Sequence, residues 1–250
     1  MTETRDHGGG LDAAVAAYGG AKANWVDLST GINPVPYPIG EIPASAWTAL
    51  PDTSAQARLI TAAREFWNVP DEAGVIAAPG ASALIARMPM LANTPSVCIP
   101  EPTYNEHAAA FRSYGVDVLQ SHEPTRVLVH PNNPDGKLWA AQTDWADGFT
   151  VIDESFCDVC PDQSHIALST QPNTVVLKSF GKFWGLAGLR LGFAIASRGL
   201  IETMTDQLGP WAVSGPGLEI GARALEDQVW ADETRDRLAQ DATRLDGIMV

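Results

Sequence analysis

The feature that most constrains this chain is a series of short β-rich apolar runs separated by stretches of helical periodicity. The runs fall at residues 75–78, 96–99, 116–119, 126–130, 149–153, 174–177 and 191–196. Between them, residues 54–67 (SAQARLITAAREFW), 83–91 and 104–114 (YNEHAAAFRSY) carry apolar side chains at helical spacing. The first helix has a serine at its cap, Ala81 and Ser82 open the second after the Pro79-Gly80 turn, and Gly115 closes the third. Such alternation predicts an α/β fold built on a mostly parallel sheet, with the direction of the run at 191–196 left open. Residues 34–43, rich in proline, read as an extended arm, and residues 218–244 as helix.

Ligands in open α/β sheets sit beyond the carboxyl ends of the strands, so the polar residues that follow each run are where chemistry is expected. Composition narrows the partners. The chain has 250 residues, 45% of them hydrophobic, enough to bury a core without a disulfide or metal staple. Its net charge of −14 repels nucleic-acid phosphates and anionic membranes, so an anionic ligand has to be caught by backbone amides and a few local cations. The polar, glycine-rich start shows no secretory peptide, and no run approaches the roughly 18 apolar residues of a membrane span. Three cysteines, Cys98, Cys157 and Cys160, cannot all pair, which fits a reducing, cytoplasmic setting. Cys157 and Cys160 have redox or metal spacing, but a single C-x-x-C with His165 does not complete a zinc site.

Three strand ends carry the candidate chemistry. The segment 178–193 (KSFGKFWGLAGLRLGF) holds Lys182 eight residues before Arg190 among several glycines. Glycine lets backbone approach a ligand, lysine forms Schiff bases, and arginine grips phosphate in bidentate fashion. Residues 130–136 (HPNNPDG) follow one run with Asn133, and 153–156 (DESF) ends the next with Asp153. Each residue taken alone has a structural explanation, as turn former or strand-end cap. An acid, an amide, a lysine and an arginine on neighbouring strand ends together suit a pyridoxal phosphate site, where the carboxylate keeps the ring nitrogen protonated.

The succession P-N-N-P-x-G, D-E-x-F and S-F-x-K-x-x-G-L-A-G-L-R-x-G resembles fold-type I pyridoxal-phosphate enzymes of the aminotransferase class I/II group. Within it, the chain is similar to the branch of histidinol-phosphate aminotransferases and threonine-phosphate decarboxylases. His7-Gly8-Gly9, residues 27–34 (DLSTGINP) and Phe156 where many aminotransferases carry tyrosine favour the decarboxylase side. The resemblance implies a three-layer α/β/α large domain, with an N-terminal arm at 1–43, the cofactor-binding domain at 44–230 and the start of a small domain at 231–250. It also implies a homodimer acting on a small phosphorylated amino acid. The reaction would be decarboxylation of L-threonine O-3-phosphate in cobalamin biosynthesis, or else transamination of the histidinol-phosphate type. A non-catalytic cofactor-binding module of a transcription regulator is the third reading, and it lacks a helix-turn-helix or basic patch to support it.

Carried over by position, Lys182 holds the cofactor as a Schiff base, Asp153 pairs with the pyridine nitrogen, and Asn133 bonds the phenolic oxygen and the substrate. Tyr104 stacks on the ring. Gly80, Ala81 and Ser82 offer amides to the phosphate at a helix start, with Ser179 and Arg190 completing the cup. His7, Gly8 and Gly31 are expected on the substrate side, and no metal is expected. Four positions depart from the family pattern. Gly181 replaces a frequent serine, Phe156 removes a hydroxyl, Leu50 stands in place of a tyrosine, and Gly31 in place of an asparagine. The arginine that clamps the substrate carboxylate lies in the family's small domain, so the chain is expected to be part of a longer enzyme.

Overall fold

A computed structural model describes residues 7–121, 123–141 and 148–249; the first six residues of the expected arm and Val250 lie outside them. Seven strands form one sheet: β1 (Ala73–Ala78), β2 (Ser96–Cys98), β3 (Asp117–Leu119), β4 (Arg126–Val129), β5 (Thr150–Asp153), β6 (Thr174–Ser179) and β7 (Gly192–Ser197). Their order across the sheet is β1-β7-β6-β5-β4-β2-β3. β7 runs antiparallel to both β1 and β6, which settles the direction the sequence left open, and the other pairings are parallel.

Successive strand residues point to opposite faces, and here both faces are covered. On one side Ile152, Val176, Phe193 and Ile195 pack under α3 (Thr53–Phe66), α8 (Gly215–Glu226) and α9 (Gln228–Met249), together with Trp67 and Trp184. On the other, Val151, Val175, Leu177 and Ala194 meet α4 (Ala81–Ile85), α5 (Met88–Ala92), α6 (Asn105–Ser113) and α7 (Arg198–Leu208). The central strands therefore read as continuous apolar runs, because neither face is left to water. Outside these layers lie α1 (Leu11–Tyr18) and α2 (Ala44–Thr48).

Three helix expectations need correction. The cap of α3 is Asp52, whose carboxylate accepts from the Ala55 amide at 2.8 Å, while Ser54 donates its hydroxyl to that same oxygen. The helix expected at 83–91 is two short ones, α4 and α5, because Pro89 has no N–H for the Ile85 carbonyl and its ring crowds that group. The helix expected at 218–244 begins at Gly215, breaks at Asp227 and resumes as α9. The Asp227 carboxylate takes the Trp230 amide at 3.0 Å and so caps the second segment. The domain boundary expected at 230/231 falls inside α9.

Residues 34–43 include no strand and lie along the loop that carries Lys182. The Asn33 amide donates to the Lys182 carbonyl at 3.0 Å and the Tyr37 amide to that of Trp184 at 2.9 Å. Gly185, at φ +67°, makes room for this approach, since a Cβ there would come within 2.7 Å of Pro36 Cα.

Candidate active site

The parallel register aligns the carboxyl ends of three neighbouring strands: Val129 pairs with Asp153, and Asp153 with Leu177. The loops that leave them carry Asn133, Ser155-Phe156 and Lys182, so residues far apart in sequence arrive at one edge of the sheet. Antiparallel β7 enters from that same edge, with Gly192 opposite both Ala78 and Ser179. This puts Arg190, just ahead of β7, beside the β1–α4 turn. A cavity of about 130 Å³ opens here, lined by Ala81, Ser82, Tyr104, Asn133, Asp153, Ser155, Phe156, Ser179, Lys182 and Arg190 among others.

Asp153 is the most constrained of these groups, at 2% exposure. Its Oδ2 lies 2.7 Å from His107 Nε2, and its Oδ1 accepts from the Ser155 amide at 3.0 Å and from the Ser155 hydroxyl. Burial pushes the carboxyl pKa up, but the bonds from His107 and Ser155 outweigh it and hold the group below the ordinary value, ionised. His107 itself is fully buried in α6, edge-on to the Tyr104 ring. Lys182 is half-buried with its Nζ 5.1 Å from the centre of the Phe156 ring. Desolvation lowers its pKa, and the attraction of Asp153 offsets only part of that. A lysine poised in this way is a better nucleophile than a free one.

The β1–α4 turn is shaped for a close approach. Gly80 sits at φ +87°, and a Cβ there would lie 2.6 Å from Arg190 Nη2; a Cβ on Gly192 would lie 2.4 Å from the Ala81 nitrogen. Both positions therefore require glycine. Arg190, itself left-handed at φ 53°, reaches back to donate to the Ala187 carbonyl at 3.2 Å. Ser179 accepts from the Gly181 amide at 3.2 Å.

Two of the departures from the family pattern form one packing pair. A Cβ on Gly31 would stand 2.7 Å from Phe156 Cε1, so the phenylalanine ring occupies the space a side chain at 31 would need. Gly31, Phe156 and Lys182 also line an adjoining cavity of about 420 Å³ that reaches Arg235 and Leu238 of α9. Leu50 is exposed.

His7 and Gly8 line neither cavity. His7 Nε2 meets Glu106 of α6 at 3.0 Å, while Gly8 is pressed against Ser29, whose hydroxyl accepts the Gly9 amide at 2.8 Å. Sequence reasoning missed His107 and Ser155, the groups that hold Asp153, and also Asn33. The Asn33 side chain donates to the Phe183 carbonyl at 2.9 Å and accepts from Arg237 of α9 at 2.8 Å. One signal was available for His107: it lies three residues after Tyr104, on the same helical face. Among the described residues, no group of three or more metal-ligating side chains comes together.

The sequence model of the aminotransferase class I and II family matches residues 25–249. A threonine-phosphate decarboxylase from Pseudomonas aeruginosa is 36% identical across 98% of this chain and 78% of its own length. Another, from a Sinorhizobium species, is 38% identical across 88% of this chain and 71% of its own length. In fold, the chain is similar to the crystal structure of a histidinol-phosphate aminotransferase from Sinorhizobium meliloti in complex with pyridoxal-5'-phosphate. That TM-score is 0.69 at 17% identity, over 80% of this chain and 63% of the other.

Proposed function

Because this chain belongs to the aminotransferase class I and II family, we propose that it is a pyridoxal-phosphate-dependent decarboxylase. Its substrate would be L-threonine O-3-phosphate, and its products (R)-1-aminopropan-2-ol phosphate and carbon dioxide. The observation that carries the reading is the pairing in one cavity of an ionised, buried Asp153 with a lysine whose pKa is lowered. The identity to two threonine-phosphate decarboxylases supports the choice of substrate.

The residues fit the cofactor on two structural grounds. Gly80 and Gly192 let the start of α4 and Arg190 pack together where they line the cavity, and the buried Asp153 carboxylate lines the same cavity. Ala81, Ser82, Ser179 and Arg190 would hold the phosphate, Tyr104 would cover the ring, and Asn133 would bond its phenolic oxygen. When bound, pyridoxal phosphate supplies a protonated ring that accepts the electron pair left when a bond to the substrate Cα breaks.

The chain's own groups do the rest. Asp153, kept ionised by His107 and Ser155, would hold the proton at the pyridine nitrogen. Lys182 would hold the cofactor through its amine and, once the substrate amine has replaced it, return a proton to Cα; its lowered pKa makes its ammonium form a readier proton donor than that of a free lysine. Phe156 and Gly31 would bound the substrate side. The choice between losing carbon dioxide and losing a proton rests on which substrate group is held perpendicular to the ring.

We further place the protein in the cytoplasm as a homodimer. Three free cysteines and the acidic charge support the compartment, and among the described residues no helix is long and apolar enough to cross a membrane. The test is direct. With pyridoxal phosphate and L-threonine O-3-phosphate, the protein is expected to release carbon dioxide in step with substrate loss. No release, together with glutamate-dependent amination of a keto acid, replaces this reading with the aminotransferase.

A further inference from the structure

The C-x-x-C pair does not belong to the cofactor site, and its geometry gives it a chemistry of its own. A one-turn 3-10 helix, Cys157–Val159, follows Phe156, and the Cys160 amide donates to the Cys157 carbonyl at 2.9 Å. A turn closed in this way brings its end Cα atoms within about 7 Å, the range over which a disulfide can span. Cys157 Sγ lies 3.7 Å from the Cys160 carbonyl oxygen, so its side chain folds back along the turn towards Cys160. The two differ in access. Cys157 is fully buried, whereas Cys160 is partly exposed beside the open side chain of Val159.

We propose that Cys157 and Cys160 form a redox-active dithiol that small soluble disulfides oxidise to an intramolecular bond. Cys160 is the entry point, because it is the more exposed of the two thiols, and the neighbouring Cys157 side chain lowers its pKa, which favours its thiolate. Its sulfur attacks one sulfur of the small disulfide RS–SR, forming Cys160–S–S–R and releasing RS⁻, which takes up the proton that Cys160 gave up. Cys157 then attacks the Cys160 sulfur, the second RS⁻ leaves and collects the Cys157 proton, and the Cys157–Cys160 bond remains. Two electrons pass from the thiol pair to the small disulfide, which departs as two RSH. Burial keeps bulky oxidants from Cys157, so the second step is open only to its neighbour. Cys98, on β2, is two strands from β5 and takes no part. The bond would form one residue from Phe156, whose ring faces the Lys182 amine. The inference rests on the cysteines alone and stands apart from the decarboxylase reading.

The experiment is incubation of the folded protein with excess oxidised glutathione, followed by alkylation and non-reducing mass spectrometry. Free thiols are expected to fall from three to one, with Cys98 alkylated and the peptide holding Cys157 and Cys160 lighter by two hydrogen atoms. Dithiothreitol is expected to restore all three. The Cys157→Ser variant is expected to stop at a glutathione adduct on Cys160, while Cys160→Ser leaves Cys157 unmodified. Three free thiols after treatment of the parent protein, or a stable adduct on its Cys160 with no internal bond, overturns the proposal. Should either variant fail to fold, the parent protein's thiol count and peptide mass decide alone.

Discussion

Lys178 is the next-to-last residue of β6, and Lys182 lies three residues beyond that strand. Lys178 points into the layer beneath α3 and α9, at 2% exposure, with Nζ 2.6 Å from Glu154 and 3.8 Å from Asp158. Burial alone would drive its proton off, but the two carboxylates more than compensate and push its pKa up to about 12. Lys182 is less buried, faces the cavity and feels only Asp153, so desolvation prevails and its pKa falls. The less buried lysine is therefore the more easily deprotonated one. Depth of burial does not predict protonation state; the count and distance of opposite charges do.

The neighbours reinforce this contrast. Glu154 accepts from Ser164 at 2.7 Å and from the His165 amide at 2.6 Å, and although burial raises its pKa, Lys178 and these bonds hold it below the ordinary value. Asp158 lies farther from the lysine and burial leaves its pKa raised, despite bonds from the indoles of Trp67 at 2.8 Å and Trp184 at 3.1 Å. One lysine closes a structural network, and the other is left available for chemistry.

The sharpest way to break the comparison is to remove each lysine in turn. Lys182→Ala is expected to lower carbon dioxide release by at least about 10³-fold and to abolish the absorbance of bound cofactor, with the urea midpoint close to that of the parent. Lys178→Met is expected to act on stability, lowering the unfolding free energy by about 3–5 kcal/mol in urea titrations, because it strands a buried carboxylate. Equal loss of stability in both variants would erase the distinction.

A smaller effect is expected at Asp153. Its depressed pKa means that the ionised form is present above that pKa and is lost as pH falls through it. His107→Phe removes one of the bonds that depress it, so the acid limb of the pH–rate profile is expected to move up by about one to two pH units. The smallest effect lies at high pH. Lys178 has a folded pKa of about 12 against an ordinary 10.5, so its contribution to stability is complete below the ordinary value and is lost as pH rises towards about 12. Stability of the parent should decline across that window more steeply than that of Lys178→Met.

Much of this site was legible in the sequence because its parts are local. Lys182, Asp153, Asn133 and Arg190 each follow or precede a short apolar run, and strand ends in a parallel sheet converge on one edge whatever the intervening loops do. His107 was not legible. It sits 46 residues before Asp153, in an alanine-rich helix where a histidine has many roles, and only the packing of α6 against the sheet gives it a carboxylate to hold. The division of 83–91 into two helices was present in Pro89 and overlooked. Lys178 reads as part of a glycine-rich cofactor segment, because nothing in its neighbours says that Glu154, just past the end of β5, and Asp158, in the 3-10 turn that follows, will meet it.

The sequence by itself determined the architecture and the list of candidate groups, since periodicity, strand ends and short motifs are properties of contiguous residues. The tertiary structure alone decided what state those groups are in. Which lysine stays charged, which carboxylate is held ionised, and why Gly31 goes with Phe156 all depend on atoms brought within a few ångströms by folding. Electrostatic and steric terms at that range change sign with a single neighbour, and no local pattern encodes who that neighbour will be.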